Sequence, residues 1–128
     1  MSRRILSVGQ CMPDQSTLNH YIQSNFDVQI DSVDLAAEVA PAIDRTQYDL
    51  VLVNRVLDRD GDDGLRIIKS LASKPDDQRI PVMLVSNYEH FQEQAVDLGA
   101  LPGFGKAELH LESVHERLAA ALDVSFGD

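Results

Sequence analysis

Tryptophan is absent from this 128-residue sequence, cysteine occurs once, and aromatic side chains make up only 5% of it. A lone Cys11 has no internal disulfide partner, which points to a reducing compartment, the cytoplasm. Basic residues are scarce as well: 11 Lys and Arg stand against 21 Asp and Glu, a formal charge of −10. Nucleic acid and anionic membranes attract clustered cations, so neither is expected as a partner. No apolar run approaches the length needed to cross a bilayer. The basic stretch Met1 to Arg4 is followed only by Ile5 to Val8, too short for a signal-peptide core. Repeats, linkers and low-complexity stretches are also missing, so residues 1–128 are expected to form one domain.

Short apolar runs alternate with helical patterns. Leu50 to Val53 and Val82 to Val85 are continuously apolar, as strands covered on both faces are, and Ile5 to Val8 is a weaker example. Phe26 to Asp31 alternates instead, the mark of an edge strand with one wet side. Between them, Leu18, Tyr21 and Ile22 share a helical face, with Asp14 or Ser16 as the expected cap. Leu35, Val39 and Ile43 form a second face, where Pro41 is expected to kink or shorten the helix. Leu65, Ile68 and Leu71 form a third, and Phe91, Ala95 and Leu98, stopped by Gly99, a fourth. Leu111, Val114, Leu118 and Leu122 form the last. Five strand–helix alternations predict an α/β fold, a doubly wound parallel sheet of order 2-1-3-4-5 with helices on both faces. In such sheets ligands bind beyond the carboxyl ends of the strands.

Those ends read Gly9-Gln10-Cys11, Asn54, Ser86-Asn87 and Lys106. With Asp63-Gly64-Leu65, Ile80-Pro81 and Gly99-Ala100, they make nearly the whole chain resemble the response-regulator receiver domain of the CheY-like superfamily. The resemblance implies a flavodoxin-like three-layer sandwich. It implies that Gly9 and Gln10 stand where receivers carry a magnesium-binding acid pair. Asn54 stands at the phosphate-accepting aspartate, and Ser86 and Lys106 match the family's conserved-type hydroxyl and lysine. Gly103 falls at the switch aromatic, with Phe104 one place later, and Ala107 replaces a customary proline.

These departures remove the chemistry. Phosphoryl transfer needs a carboxylate nucleophile and a metal to neutralise charge, and a neutral amide is a poor substitute. Hard cations require carboxylate oxygens, which Gly9 and Gln10 do not offer. At an effective dielectric of about 20, each opposite-charge pair lost at roughly 4 Å removes on the order of 4 kcal/mol of attraction. Lys106 is then the only charge expected in the pocket, which predicts a net positive site that repels magnesium. Lys106 itself is expected to hydrogen-bond Asn54 or backbone carbonyls, with weak anion binding as the alternative. Ser86 is expected to cap the loop that follows it.

The segment Arg55 to Gly64 holds Asp58, Asp60, Asp62 and Asp63 and is two residues longer than a typical receiver loop. Asp58, Asp60 and Asp62 imitate the start of a calcium loop, but Asp63 and Lys69 occupy positions that need glycine and glutamate. A solvated turn favouring the next helix is the simpler expectation. Cys11 is expected to be inert. His20, His90, His110 and His115 form no metal set by spacing, and the Gly9 to Thr17 segment lacks a flavin phosphate cradle.

No cofactor is expected, and no nucleophile–base pair marks an enzyme. The leading expectation is a stand-alone receiver-like module that binds a signalling protein without phosphorylation. The family uses the face of the fourth helix, fifth strand and fifth helix for partners or dimers. Here it would run through Tyr88 to Leu98, Phe104 and Leu109 to Leu122, with His90, Gln94, Glu108, Glu112 and Glu116 as exposed candidates. A homodimer is an open alternative. So are a live receiver that accepts phosphate on Asp58 or Asp60, and a calcium-responsive adaptor.

Overall fold

The computed structural model describes residues 3–122, so Met1 and Ser2 of the basic stretch lie outside the described residues. Five strands, β1 (Arg3–Val8), β2 (Val28–Val33), β3 (Leu50–Asn54), β4 (Val82–Val85) and β5 (Leu101–Phe104), form one sheet of order β2-β1-β3-β4-β5. All four pairings are parallel. The helices are α1 (Met12–Asn25), α2 (Val39–Arg45), α3 (Gly64–Ala72), α4 (Glu89–Asp97) and α5 (Glu112–Ala121).

Successive strand residues point to opposite sides, and the two sides make two cores. Leu6, Val8, Val51, Val53, Val82 and Leu84 meet the α2–α4 layer, including Ile68 and Ala95. Ile5, Leu50, Leu52, Met83, Val85 and Phe104 meet Leu18, Ile22, Val114 and Leu118 from α1 and α5. Double burial is why β3 and β4 read as unbroken apolar runs, and β2, at the edge, alternates as expected.

Several local expectations need correction. Helix α1 starts at Met12 with Cys11 as N-cap, so Asp14 and Ser16 lie inside the helix. Pro13 explains this: proline is best placed in the first turn, where its missing N–H has no partner to lose. Pro41 sits in the opening turn of α2, after a separate 3₁₀ turn at Ala36–Glu38, and the helix is short, one of the two outcomes expected of it. Phe26 precedes β2 as the C-cap of α1, and Leu111, the N-cap of α5, is 40% exposed rather than core. Gly99 does end α4: its N–H reaches Val96 O, and Ala100 N–H reaches Ala95 O.

Candidate functional site

The carboxyl ends of β1, β3, β4 and β5 bring Gly9, Gln10, Asn54, Ser86 and Lys106 to one edge of the sheet. A cleft of about 330 Å³ opens there, lined by Asn54, Arg55, Val85, Ser86, Asn87, Phe91 and Lys106 among others, and no carboxylate lines it.

Asn54 is fully engaged. Its Nδ2 donates to Gly9 O (3.1 Å) and Val56 O (2.9 Å), and its Oδ1 accepts from Arg55 N–H (3.1 Å). The amide thus ties β1 to the loop after β3. An aspartate could accept from Arg55 but could not donate to the two carbonyls.

Lys106 does not turn to Asn54 or to carbonyls, as the sequence suggested. Its Nζ lies 2.8 Å from Asp14 Oδ2 on α1. The Lys106 ammonium, with a smaller contribution from Cys11, holds the Asp14 carboxyl below its ordinary value. Arg55, which the sequence reading passed over, lies 3.2 Å from Asp63 and 4.3 Å above the Phe91 ring. The expected net positive pocket is therefore corrected: both cations lining the cleft are matched by carboxylates held outside it. The pairing of Asp14 with Lys106 escaped notice because the two lie 92 residues apart.

The corner above β1 is closed by an apolar side chain. Gly9 has φ +79°, and a Cβ added there would lie 2.2 Å from Leu57 Cδ2. Leu57 is fully buried, and Asp58 N–H donates to Gly9 O (2.9 Å), which clamps the loop over the strand end. Gln10, beside it, is 7% exposed, and neither of its amide atoms has a hydrogen-bond partner among the described residues. Ser86 accepts from Tyr88 N–H through Oγ (3.3 Å), the loop-capping role expected of it.

The acidic loop is held by its own aspartates. Asp60 accepts from Asp62 N–H, Asp62 faces Arg66, and Asp63 caps α3 through Leu65 N–H. Val56 and Asp63 form an antiparallel bridge that closes the segment between them into a loop. Among the described residues, no group of three His, Cys, Asp or Glu side chains is placed to hold a metal ion, Asp58, Asp60 and Asp62 included.

At Gly103 and Phe104, expected at the switch positions, β5 carries a bulge. Met83 pairs with Leu101 and Val85 with Phe104, so β5 uses one residue more than β4 over the same span. The shift carries Phe104 into the core, where it is 0% exposed. A Cβ on Gly103 would meet Leu84 O at 2.1 Å, so no side chain fits there. Gln92 of α4 donates to Leu84 O (2.9 Å) and Ser86 O (3.1 Å) and accepts from Gly103 N–H (3.1 Å). Arg117 of α5 donates to Gly103 O (2.7 Å). Both helices are pinned to β5 at one residue. Neither Gln92 nor Arg117 carries a motif, and no signal in the sequence marked them.

No protein-family model matches the sequence, and no curated relative does. Solved structures match throughout. A protein from Chloroflexus aurantiacus described as a response regulator superposes with a TM-score of 0.81 at 15% identity, over 96% of this chain and 99% of its own. The beryllofluoride-activated receiver domain of RstA from Klebsiella pneumoniae gives 0.78 at 19% identity, over 94% and 98%. The receiver domain of a DNA-binding response regulator from Colwellia psychrerythraea gives 0.77 at 19%, over 95% and 99%. The fold is that of a receiver domain. In this receiver fold no helix among the described residues is long and apolar enough to cross a membrane.

Proposed function

We propose that this chain is a receiver-fold signalling module that works without phosphorylation, as a cytoplasmic protein-binding partner and not an enzyme. One observation carries the reading: Leu57 fills the space that any side chain at Gly9 would need. A metal site requires an acid at that corner or beside it, and here the corner is packed with hydrocarbon. Lys106, bound to Asp14, and Asn54, bound to backbone, support the same conclusion from the other side of the cleft. The receiver fold of the neighbours favours a place in two-component signalling, where the partner is another protein.

Amide NMR spectra of the labelled protein, recorded with magnesium and then beryllofluoride, test this. Peaks of Gly9, Asn54, Ser86 and Lys106 are expected to stay in place. Saturable magnesium-dependent shifts centred on residues 58–63 would overturn the proposal in favour of a rebuilt acceptor site on Asp58 or Asp60.

A further inference from the structure

The cleft at the carboxyl end of the sheet has hydrogen-bond donors to spare and few free acceptors. Apart from the Tyr88 hydroxyl, the side-chain acceptors lining it are each already filled: Asn54 Oδ1 by Arg55 N–H (3.1 Å), Ser86 Oγ by Tyr88 N–H (3.3 Å) and Asn87 Oδ1 by Ala107 N–H (3.0 Å). Donors remain. An ammonium carries three and a guanidinium five, whereas Lys106 gives one to Asp14 and Arg55 gives one from Nη1 to Asp63. The Ser86 hydroxyl and the Asn87 amide nitrogen add to them. The rest of the lining is apolar: Val56, Val85, Tyr88 and Phe91. Tyr88 is 64% exposed and Val56 51%, two of the three most exposed large apolar side chains among the described residues.

We propose that this cleft binds a small free organic acid, a single carboxylate on an apolar body; this goes beyond the protein-binding reading and uses neither a metal nor phosphate. The donor inventory carries the argument. Carboxylate oxygens only accept, so they match a lining whose acceptors are filled and whose cations hold protons in reserve. The apolar body covers Val56 and Tyr88, which otherwise stay wet. An amine would meet donors where it needs acceptors. Inorganic phosphate fits poorly as well: it brings no hydrocarbon, and Arg55 and Lys106 are already matched by Asp63 and Asp14, so its second charge has no partner. A volume of about 330 Å³ lies at the small end of the range for small-molecule clefts, which are mostly apolar with a few convergent polar groups.

The test is an amide NMR titration of the labelled full chain with 3-phenylpropanoate. Controls are 3-phenylpropanol, which keeps the body without the charge, acetate, which keeps the charge without the body, and inorganic phosphate. Saturable shifts are expected at Asn54, Arg55, Val56, Ser86, Asn87, Tyr88, Phe91 and Lys106, with each control binding about tenfold more weakly or less. Lys106→Met should weaken 3-phenylpropanoate about tenfold, the loss of one charge-assisted hydrogen bond. Asp14→Asn, which frees the ammonium, should tighten it about threefold. A lysine that only holds the fold would not move affinity in opposite directions in these two variants. Tyr88→Ala, at an exposed position, should weaken binding about threefold without a change in melting temperature. Equal binding of acetate and 3-phenylpropanoate, or both Lys106→Met and Asp14→Asn weakening it, would overturn the proposal. Tighter binding of acetyl-Gly-Phe-Asp-Gly-amide than of the free acid would do so in favour of a partner protein's loop. No magnesium or beryllofluoride is added, so failure here is distinguishable from failure of the phosphorylation-independent reading.

Discussion

Asn54 donates two hydrogen bonds to carbonyls that an aspartate would repel, so an acid at this position loses both contacts, and on the proposed reading it creates no phosphorylation site. The Asn54→Asp variant is expected to melt lower by about 1–3 kcal/mol of stability and still give no beryllofluoride response. Gly9→Asp is the more severe change. It sets a side chain at φ +79° against Leu57, and a loss of about 2 kcal/mol or more is expected in urea unfolding. In the Leu57→Ala background, itself destabilised by loss of a buried side chain, Gly9→Asp should cost less than it does in the parent, a coupling that two independent sites would not show.

Asp14 titrates with a visible sign. Its folded value lies below the ordinary 3.8, so the Lys106 contact stabilises the fold above about that pH and is lost as pH falls through the lowered value. Thermal melts of the parent and of Asp14→Asn are therefore expected to differ most near neutrality and to converge below pH 3.8. A difference that grew on acidification would contradict the assignment. Asp14 is 44% exposed at its side chain, so the effect is modest.

At the scale of elements, β5 and α4 behave as one unit. The bulge in β5 places Phe104 in the core and leaves Gly103 to be gripped by Gln92 and Arg117. A helix fastened to the strand ends through four hydrogen bonds of the Gln92 side chain has little freedom to slide. Gln92→Ala is expected to cost about 1–3 kcal/mol and to speed amide exchange across residues 89–97 more than across α5. Uniform acceleration through the whole fold would mean that the amide only adds stability and does not anchor α4.

The five stripes and the apolar runs were readable along the chain because burial on one or two faces imprints a period of 3.6 or a continuous run. Helix starts were less readable: Pro13 fixed the start of α1 more strongly than Asp14 or Ser16. The acidic loop was judged rightly as a turn that favours the next helix, with Asp63 as the cap of α3. That this segment closes into a loop with Leu57 turned inward was not legible.

Across the whole molecule charge is the dominant feature. With 21 acids against 11 basic residues, self-repulsion in the compact state is expected to outweigh the ion pairs seen among the described residues, most of them well exposed. Raising sodium chloride from about 0.02 M to about 0.3 M, where the screening length falls below 10 Å, is expected to raise the melting temperature. A fall would mean that the ion pairs, chiefly Lys106–Asp14 and Arg55–Asp63, matter more than the excess charge.

The sequence by itself determined the alternation of strands and helices, the edge position of β2, and the absence of acids at Gly9, Gln10 and Asn54. Each follows from residue type and local period, which need no knowledge of distant contacts. Only the tertiary structure decided that Lys106 pairs with Asp14, that Leu57 fills the corner beside Gly9, and that Gln92 and Arg117 converge on Gly103. Those contacts join segments brought together by sheet register and loop closure, and nothing in the pattern of either partner alone specifies the other.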